Sequence, residues 1–316
     1  MYHRVAEILS DPWSLCVTPK HFAEQLEVLR RVTHPQHIHG LSRSLQGECI
    51  PEHSVAVTFD DGYADNLDHA RPLLERYDIP ATVFLTTGYI GLGREFWWDE
   101  LERVLLQPGS LSQVLQLNVN GKTYQWELGD AAYYPEERWR REHSWKPFAH
   151  SPSSRQFLYI SLWQLLRPLP QRERQVVLND LLVWAGAEPK ARQTHRTVSL
   201  EEVVSLGGGD LIEIGSHSVT HPLLSTLSTT MQEEEIQGSK ARIEEIIGRP
   251  VTSFAYPYGD YTAETVGIVR ESGFNCACST IADIDNRDTE RFQLPRVQIQ
   301  DWDGEEFSRQ LWAWFA

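Results

Sequence analysis

The sequence predicts an α/β fold, a set of parallel strands wound toward a barrel, and three observations carry that prediction. Strand-like and helix-like runs alternate toward both ends of the chain. The residues best suited to chemistry, Asp60, Asp61, His217 and His221, come directly after strand-like runs. A middle stretch, residues 95–198, breaks the rhythm with a hairpin and helices of its own. Alternation favours a parallel sheet over a sandwich. In parallel sheets the loops at the C-terminal strand ends converge, and ligands bind there.

The elements follow in order. Thr18-Pro19 opens a helical stripe of Phe22, Leu26 and Leu29. Val55–Phe59 is β-branched and aromatic and stops at Asp60-Asp61-Gly62, so it reads as a buried strand ending in a turn. Ile79–Leu85 is the next strand. Ser199 and Glu202 have capping-box spacing before Val203, Val204 and Leu206, and Gly207-Gly208-Gly209 ends that helix. Leu211–Ile214 is again strand-like. Thr230 and Glu233 repeat the capping spacing, and Ile236, Ile243, Ile246 and Ile247 recur at helical intervals until Gly248-Arg249-Pro250. Ser253–Tyr256, Ala277–Thr280 and Val297–Gln300 complete the strands.

Within the middle stretch, Asn120-Gly121 joins Leu117–Val119 to Tyr124–Leu128, a hairpin signal that demands positive φ. A charged, tryptophan-rich run from Glu136 to Trp145 follows. Two helical patterns come next, one with Trp163, Leu165 and Leu166, the other with Val177, Leu181 and Trp184. The expected organisation is a barrel of residues 1–94 and 199–316 interrupted by an inserted hairpin-plus-helical subdomain, 95–198, that flanks the mouth of the site. Trp97 and Trp98 at its start have two readings: faces that stack on sugar rings, or core anchors of the insertion, since tryptophan is mostly buried.

Alternation along a strand points Asp60 and Asp61 to opposite sides, but at a frayed end before glycine the backbone can turn both into one pocket. A solvated Asp-Asp-Gly turn is the bland alternative. His217 and His221 share a face if their loop winds as one helical turn, and neutral imidazole is a common ligand for zinc-like ions. Alone, a histidine pair at that spacing says little. Two carboxylates and two imidazoles together form the minimum set for a hydrolytic metal site.

Thr58-Phe59-Asp60-Asp61-Gly62, His217-Ser218-Val219-Thr220-His221 and Phe254-Ala255-Tyr256-Pro257-Tyr258-Gly259 resemble, in this order, the three signature motifs of the polysaccharide deacetylases, carbohydrate esterase family four. The opening Met1-Tyr2-His3-Arg4-Val5 and the late Leu294-Pro295-Arg296-Val297 look like a branch whose third motif lacks arginine. The resemblance implies a distorted (β/α)7-type barrel. It implies that Asp61, His217 and His221 ligate one divalent metal, Zn2+ first, though two histidines and a carboxylate also suit iron, cobalt or nickel. Asp60 would be the general base, and the backbone N–H of Tyr258 would hold the oxyanion.

Two departures matter. The position held by an orienting arginine in much of the family is Ala255 here, and Arg296 is expected to fill the vacated space and pair with Asp60. No histidine follows His221, so the general acid must come from elsewhere. His3 is the candidate, because a permuted strand order would put it at a barrel strand end. His53 and His69 are weaker alternatives.

The formal net charge of −15 disfavours nucleic acid as a partner. At 316 residues with 11 tryptophans the chain can bury a large core. No apolar run reaches membrane-spanning length and no signal-peptide pattern opens the chain, so the expected location is the cytoplasm as written, an upstream leader remaining open. Cys16, Cys49, Cys276 and Cys278 lack zinc-finger spacing and are expected to be reduced. The leading function is a metal-dependent N-deacetylase of an amino-sugar-containing poly- or oligosaccharide or glycan precursor. The alternatives are a same-fold hydrolase of another C–N bond in a small amide, imide or N-acyl metabolite, and a non-catalytic sugar-binding relative.

Overall fold

The computed structural model describes residues 1–44, 51–147, 150, 153–282 and 289–315. Contacts divide the chain into two compact units, one made of residues 1–7, 15–92 and 197–316, the other of 8–14 and 93–196. No pattern in the sequence marks residues 8–14 as part of the second unit.

The first unit is built on five parallel strands in consecutive spatial order. They are β1 (Val57–Phe59), β2 (Ala81–Leu85), β3 (Ile212–Ser216), β4 (Ser253–Ala255) and β5 (Cys276–Cys278). Outside β1, Tyr2 bridges Phe59; outside β5, Leu294 bridges Cys278. The Ile299 N–H donates to the Met1 carbonyl at 3.0 Å, so these two outer segments meet. The sheet thus curls into a half-barrel closed by isolated bonds. Two expectations change here. The run Val55–Phe59 is split at Ala56, because Ser54–Val55 pairs with His34–Pro35 instead of with the sheet. Val297–Gln300 is no regular strand; Pro295 lacks a ladder donor, and the segment contributes single bonds.

Strand alternation sorts the side chains. Val83, Leu85, Ile214, Phe254 and Ala277 join Phe22, Leu26, Ile236 and Ile243 from the helices in the main core. Phe84, Ala255, Cys276, Cys278 and Leu294 form a separate cluster on the opposite side. Each large apolar side chain buried this way contributes about 1.5–3 kcal/mol. Cys276 and Cys278 are buried and Cys16 is half-buried; the reading of Cys49 lies outside the described residues.

Helix starts follow the expected chemistry with one shift. The Thr18 hydroxyl accepts from the His21 N–H and Pro19 takes the first turn of Pro19–Val32. The Ser199–Glu202 capping box opens Leu200–Leu206. The helix Thr229–Ile247 is capped by Ser228, whose hydroxyl accepts from the Met231 N–H, so Thr230 lies inside the helix rather than at its cap. No helix among the described residues is long and apolar enough to cross a membrane.

In the second unit the hairpin pairs Val114–Val119 with Lys122–Glu127. Asn120 and Gly121 connect them at φ 53° and 78°, the left-handed pair that a two-residue turn needs. Helices Trp97–Leu105, Ser154–Leu166 and Gln171–Ala185 supply the rest. Arg155 is buried among carbonyls: Nε donates to Ala131 O at 2.6 Å, Nη1 to Gln107 O at 3.1 Å, and Nη2 to Gly109 O at 2.7 Å and Ala132 O at 2.9 Å. Arg192 pairs with Glu95 at 2.9 Å and Glu102 at 2.7 Å, two carboxylates with almost no exposure.

Trp97 and Trp98 belong to this packing. They are 1% and 5% exposed. Trp98 stacks on Phe96 with centroids 4.5 Å apart, and Trp97 lies between Trp163 and the guanidinium of Arg174. Rings covered on these faces have no surface to offer a sugar, so the stacking expectation gives way to the core-anchor one.

Candidate metal centre

Each site residue follows the C-terminal end of a parallel strand or of an outer segment. Asp60 and Asp61 come after β1, His217 after β3, Tyr258 after β4, Arg296 after the Leu294 bridge and His3 after the Tyr2 bridge. The parallel register that joins Phe59, Val83 and Ile214 in adjacent strands brings these ends to one edge.

Asp61 takes φ 74°, a left-handed backbone that cancels strand alternation and lets it leave the line set by Asp60. Asp61, His217 and His221 are all buried, and one ligand atom from each lies within 4.8 Å of the others. Asp61 Oδ1 is 3.5 Å from His217 Nε2 and 3.4 Å from His221 Nε2. Donors about 2.0–2.2 Å from a tetrahedral ion stand roughly 3.3 Å apart, so the donor set fits a divalent metal in both chemistry and spacing. His217 Nδ1 is 2.7 Å from the Ala255 carbonyl. A carbonyl can only accept, so the ring proton is on Nδ1 and Nε2 presents its lone pair outward. Burial lowers the His217 pKa, which favours the neutral, ligating form.

The histidine loop does not wind as the helical turn the sequence suggests. Ser218 and His221 adopt φ 64° and 55°, and the loop is held from two sides. Thr87 N–H donates to Ser218 O at 3.1 Å and Gly88 N–H to Val219 O at 2.8 Å. A Cβ on Gly88 would be 2.6 Å from Val219 O, so only glycine permits this approach. Opposite, the half-buried Glu235 accepts from Val219 N–H and Thr220 N–H at 2.8 Å each and from the Thr220 hydroxyl at 2.6 Å. Glu235 stands in the run Glu233-Glu234-Glu235, which by sequence is a solvated helix face, so nothing singled it out.

Asp60 is buried and bidentate to Arg296, with Nη1–Oδ1 and Nη2–Oδ2 both 2.7 Å. Arg296 is itself only 6% exposed, its Nε donates to Ser279 O at 2.9 Å, its Nη1 donates to the Thr58 hydroxyl at 3.2 Å, and its guanidinium stands over the Phe84 ring. The expected contact between Arg296 and Asp60 is present. Burial alone would raise the Asp60 pKa, but the Arg296 charge and hydrogen bonds outweigh it and hold the carboxyl well below the usual range.

His3 is half-buried and shares an electrostatic environment with Asp60, Arg296 and His217. Burial, assisted by the charge of Arg296 and opposed by Asp60, lowers its pKa from 6.5 to about 4. Asn66 donates to the His3 carbonyl at 2.9 Å, and Asp65 pairs with the buried Arg4 at 3.0 Å while accepting from Val5 N–H. The other histidines are engaged elsewhere: His69 Nδ1 meets Val5 O at 2.8 Å and His53 stacks on Phe315. Tyr258 has φ 58° and its ring is edge-on to His221 with centroids 4.4 Å apart. Asp61, Ser218, His221 and Tyr258 all carry positive φ, a concentration of unfavourable backbone of the kind held in place at functional sites.

A family model described as "Polysaccharide deacetylase" matches residues 47–111 and 196–277, a range that reaches neither His3 nor Arg296. The chain is 28% identical over 88 residues to the Bacillus subtilis protein named "Putative polysaccharide deacetylase YxkH", covering 28% of this chain and 32% of that protein. The match thus spans about a third of that relative's length. Among solved structures, the Streptococcus pyogenes deacetylase PplD in complex with acetate superposes with TM-score 0.61 at 17% identity, over 98% of this chain and 96% of that one. IcaB from Ammonifex degensii gives TM-score 0.60 at 18% identity, over 99% and 94%. At these identities the likeness is one of fold. With its motifs on either side of the inserted unit, the chain is similar to the polysaccharide deacetylase family over residues 47–111 and 196–277.

Proposed function

We propose that the chain is a metal-dependent hydrolase that removes N-acetyl groups from an amino-sugar-containing poly- or oligosaccharide. The observation that carries this reading is the cluster of Asp61, His217 and His221 together with a second carboxylate, Asp60, clamped by Arg296. A divalent ion held by those three would polarise the acetyl carbonyl and lower the pKa of a water toward about 7.

The chain's own residues account for the proton movements. Asp60 is ionised at rest and takes the proton of the attacking water as the water oxygen bonds to the acetyl carbon; the C–N bond breaks afterwards, when the nitrogen is protonated. The depressed pKa of Asp60 makes it a weak resting place, so the proton must move on. His3, neutral at pH 7 and electrostatically coupled to Asp60, receives it and delivers it to the leaving amine nitrogen. The Tyr258 N–H is assigned to the oxyanion, a role worth about 2.7–4 kcal/mol in comparable sites. Arg296 touches neither carbonyl nor amine in this scheme; it keeps both Asp60 oxygens oriented.

Acetate release from N-acetylglucosamine oligomers, set beside a panel of small amides and N-acyl metabolites, tests this. The expected result is release from the sugars that stops on chelation and returns with a divalent ion, and an Asp60→Asn variant down by 10²-fold or more. Turnover of the small amides alone, or an Asp60→Asn protein as active as the parent, contradicts it.

A further inference from the structure

Glu235 lies on a different element from every residue assigned so far, yet its carboxylate gathers three donors from the loop between the two candidate histidine ligands. Two are consecutive backbone N–H groups, Val219 and Thr220, and the third is the Thr220 hydroxyl. Consecutive N–H groups turned toward one point form a concavity that favours an anion. Here the anion is a side chain of the helix Thr229–Ile247. The loop needs such a hold. Within five residues it places His217 and His221 with ring centroids 4.8 Å apart, and it does so through two residues, Ser218 and His221, in the left-handed region. On its other side the loop is fixed by the backbone of Thr87 and Gly88. Among the described contacts, Glu235 is the side chain that reaches Val219 and Thr220 from another helix.

We infer that Glu235 is a positioning residue for the metal centre: by clamping Val219 and Thr220 it sets the spacing of His217 and His221 and thereby the affinity for a divalent cation. The inference rests on the metal-site reading above and adds to it a residue outside all three motifs. What matters is acceptor geometry rather than charge. A glutamine could still accept both N–H groups on its amide oxygen and donate its NH2 to the Thr220 hydroxyl, whereas alanine leaves all three donors without this partner.

Co2+ binding to the metal-stripped full chain tests this, with the visible absorption of the bound ion reporting coordination geometry and thermal melting of the stripped proteins as the control. E235A is expected to bind Co2+ roughly 10–100-fold more weakly, as for comparable residues that orient metal ligands, with shifted absorption bands. E235Q is expected to stay near the parent in both. Should E235A not fold, Thr220→Val carries the test, with a smaller loss of affinity expected because the two backbone bonds remain. Parent-like affinity and spectrum in E235A, or in T220V where that variant stands in, overturn the role of Glu235. A parent chain that takes up no Co2+ at all overturns the metal-site reading itself, and the two failures are distinguishable.

Discussion

A buried guanidinium facing a buried carboxylate sets how the site answers mutation and pH. Removing Arg296 leaves Asp60 ionised, buried and without its bidentate partner, a change that typically costs about 3–5 kcal/mol. Arg296→Ala should therefore lose stability of that order in urea titrations and lose turnover with it; unimpaired turnover would remove Arg296 from the scheme. Because the folded pKa of Asp60 is depressed, its stabilisation is complete above the ordinary carboxylate value of about 4. It is lost as pH falls through the folded value, and Arg296→Ala should abolish that acid-side dependence. His3 behaves differently. Its folded pKa of about 4 lies below the ordinary 6.5, so between those values the unfolded chain takes up a proton that the folded chain refuses. Stability should fall as pH falls through that window, and His3→Gln should flatten the slope. In turnover, neutral His3 is the form that receives the proton, so His3→Ala should lose the contribution of His3 to the acid limb of the pH profile; an unchanged profile would dismiss His3 as the proton carrier. At this scale the clustering of Asp61, His217 and His221 was legible because the motifs place them after strand-like runs. Glu235 was not, since its partners are main-chain N–H groups whose direction depends on φ at Ser218, which composition does not encode.

Among the elements, the N-terminal segment matters most to the site. It is docked by the Arg4–Asp65 pair, with side chains 3% and 8% exposed, and by Asn66 on the His3 carbonyl. Asp65→Ala would strand a buried Arg4 and is expected to destabilise by about 3–5 kcal/mol. Amide exchange at Val5, whose N–H Asp65 accepts, should rise more than exchange in β2; equal protection in variant and parent would contradict the docking role. Strands β2 to β5 could be placed from hydrophobic runs, because parallel strands buried on both faces read as continuous apolar segments. The split after Val55, the loop form of His217–His221 and the irregular 297–299 segment could not. Each depends on which partner a short stretch meets in space, here His34–Pro35, Glu235 and Met1. The cap at Ser228 rather than Thr230 is a choice between hydroxyls two residues apart, which spacing alone leaves open.

Across the whole molecule, the family segments 47–111 and 196–277 lie mostly in the first unit, the earlier one running on into the second, which keeps its own ion pairs. Arg192, near the exit of that unit, neutralises Glu95, near its entry, and also Glu102. Arg192→Ala should open the unit to limited proteolysis and lower its stability by about 3 kcal/mol, the low end of the range for breaking a buried pair, because Arg103 remains 3.6 Å from Glu95. Unaltered proteolysis would refute the clasp. In the second unit the hairpin was legible as Asn120-Gly121. The unit's interior was not: nothing in the sequence marks Arg155 as a buried hub for carbonyls or turns Trp97 and Trp98 inward. The account stands on one centre assembled from β1 and β3. Anomalous diffraction from crystals grown with Zn2+ tests that most directly. The account predicts a single strong peak bonded to Asp61 Oδ1, His217 Nε2 and His221 Nε2, with Asp60 still paired to Arg296. A peak elsewhere, or a site in which Asp61 turns away from the two histidines, would contradict it.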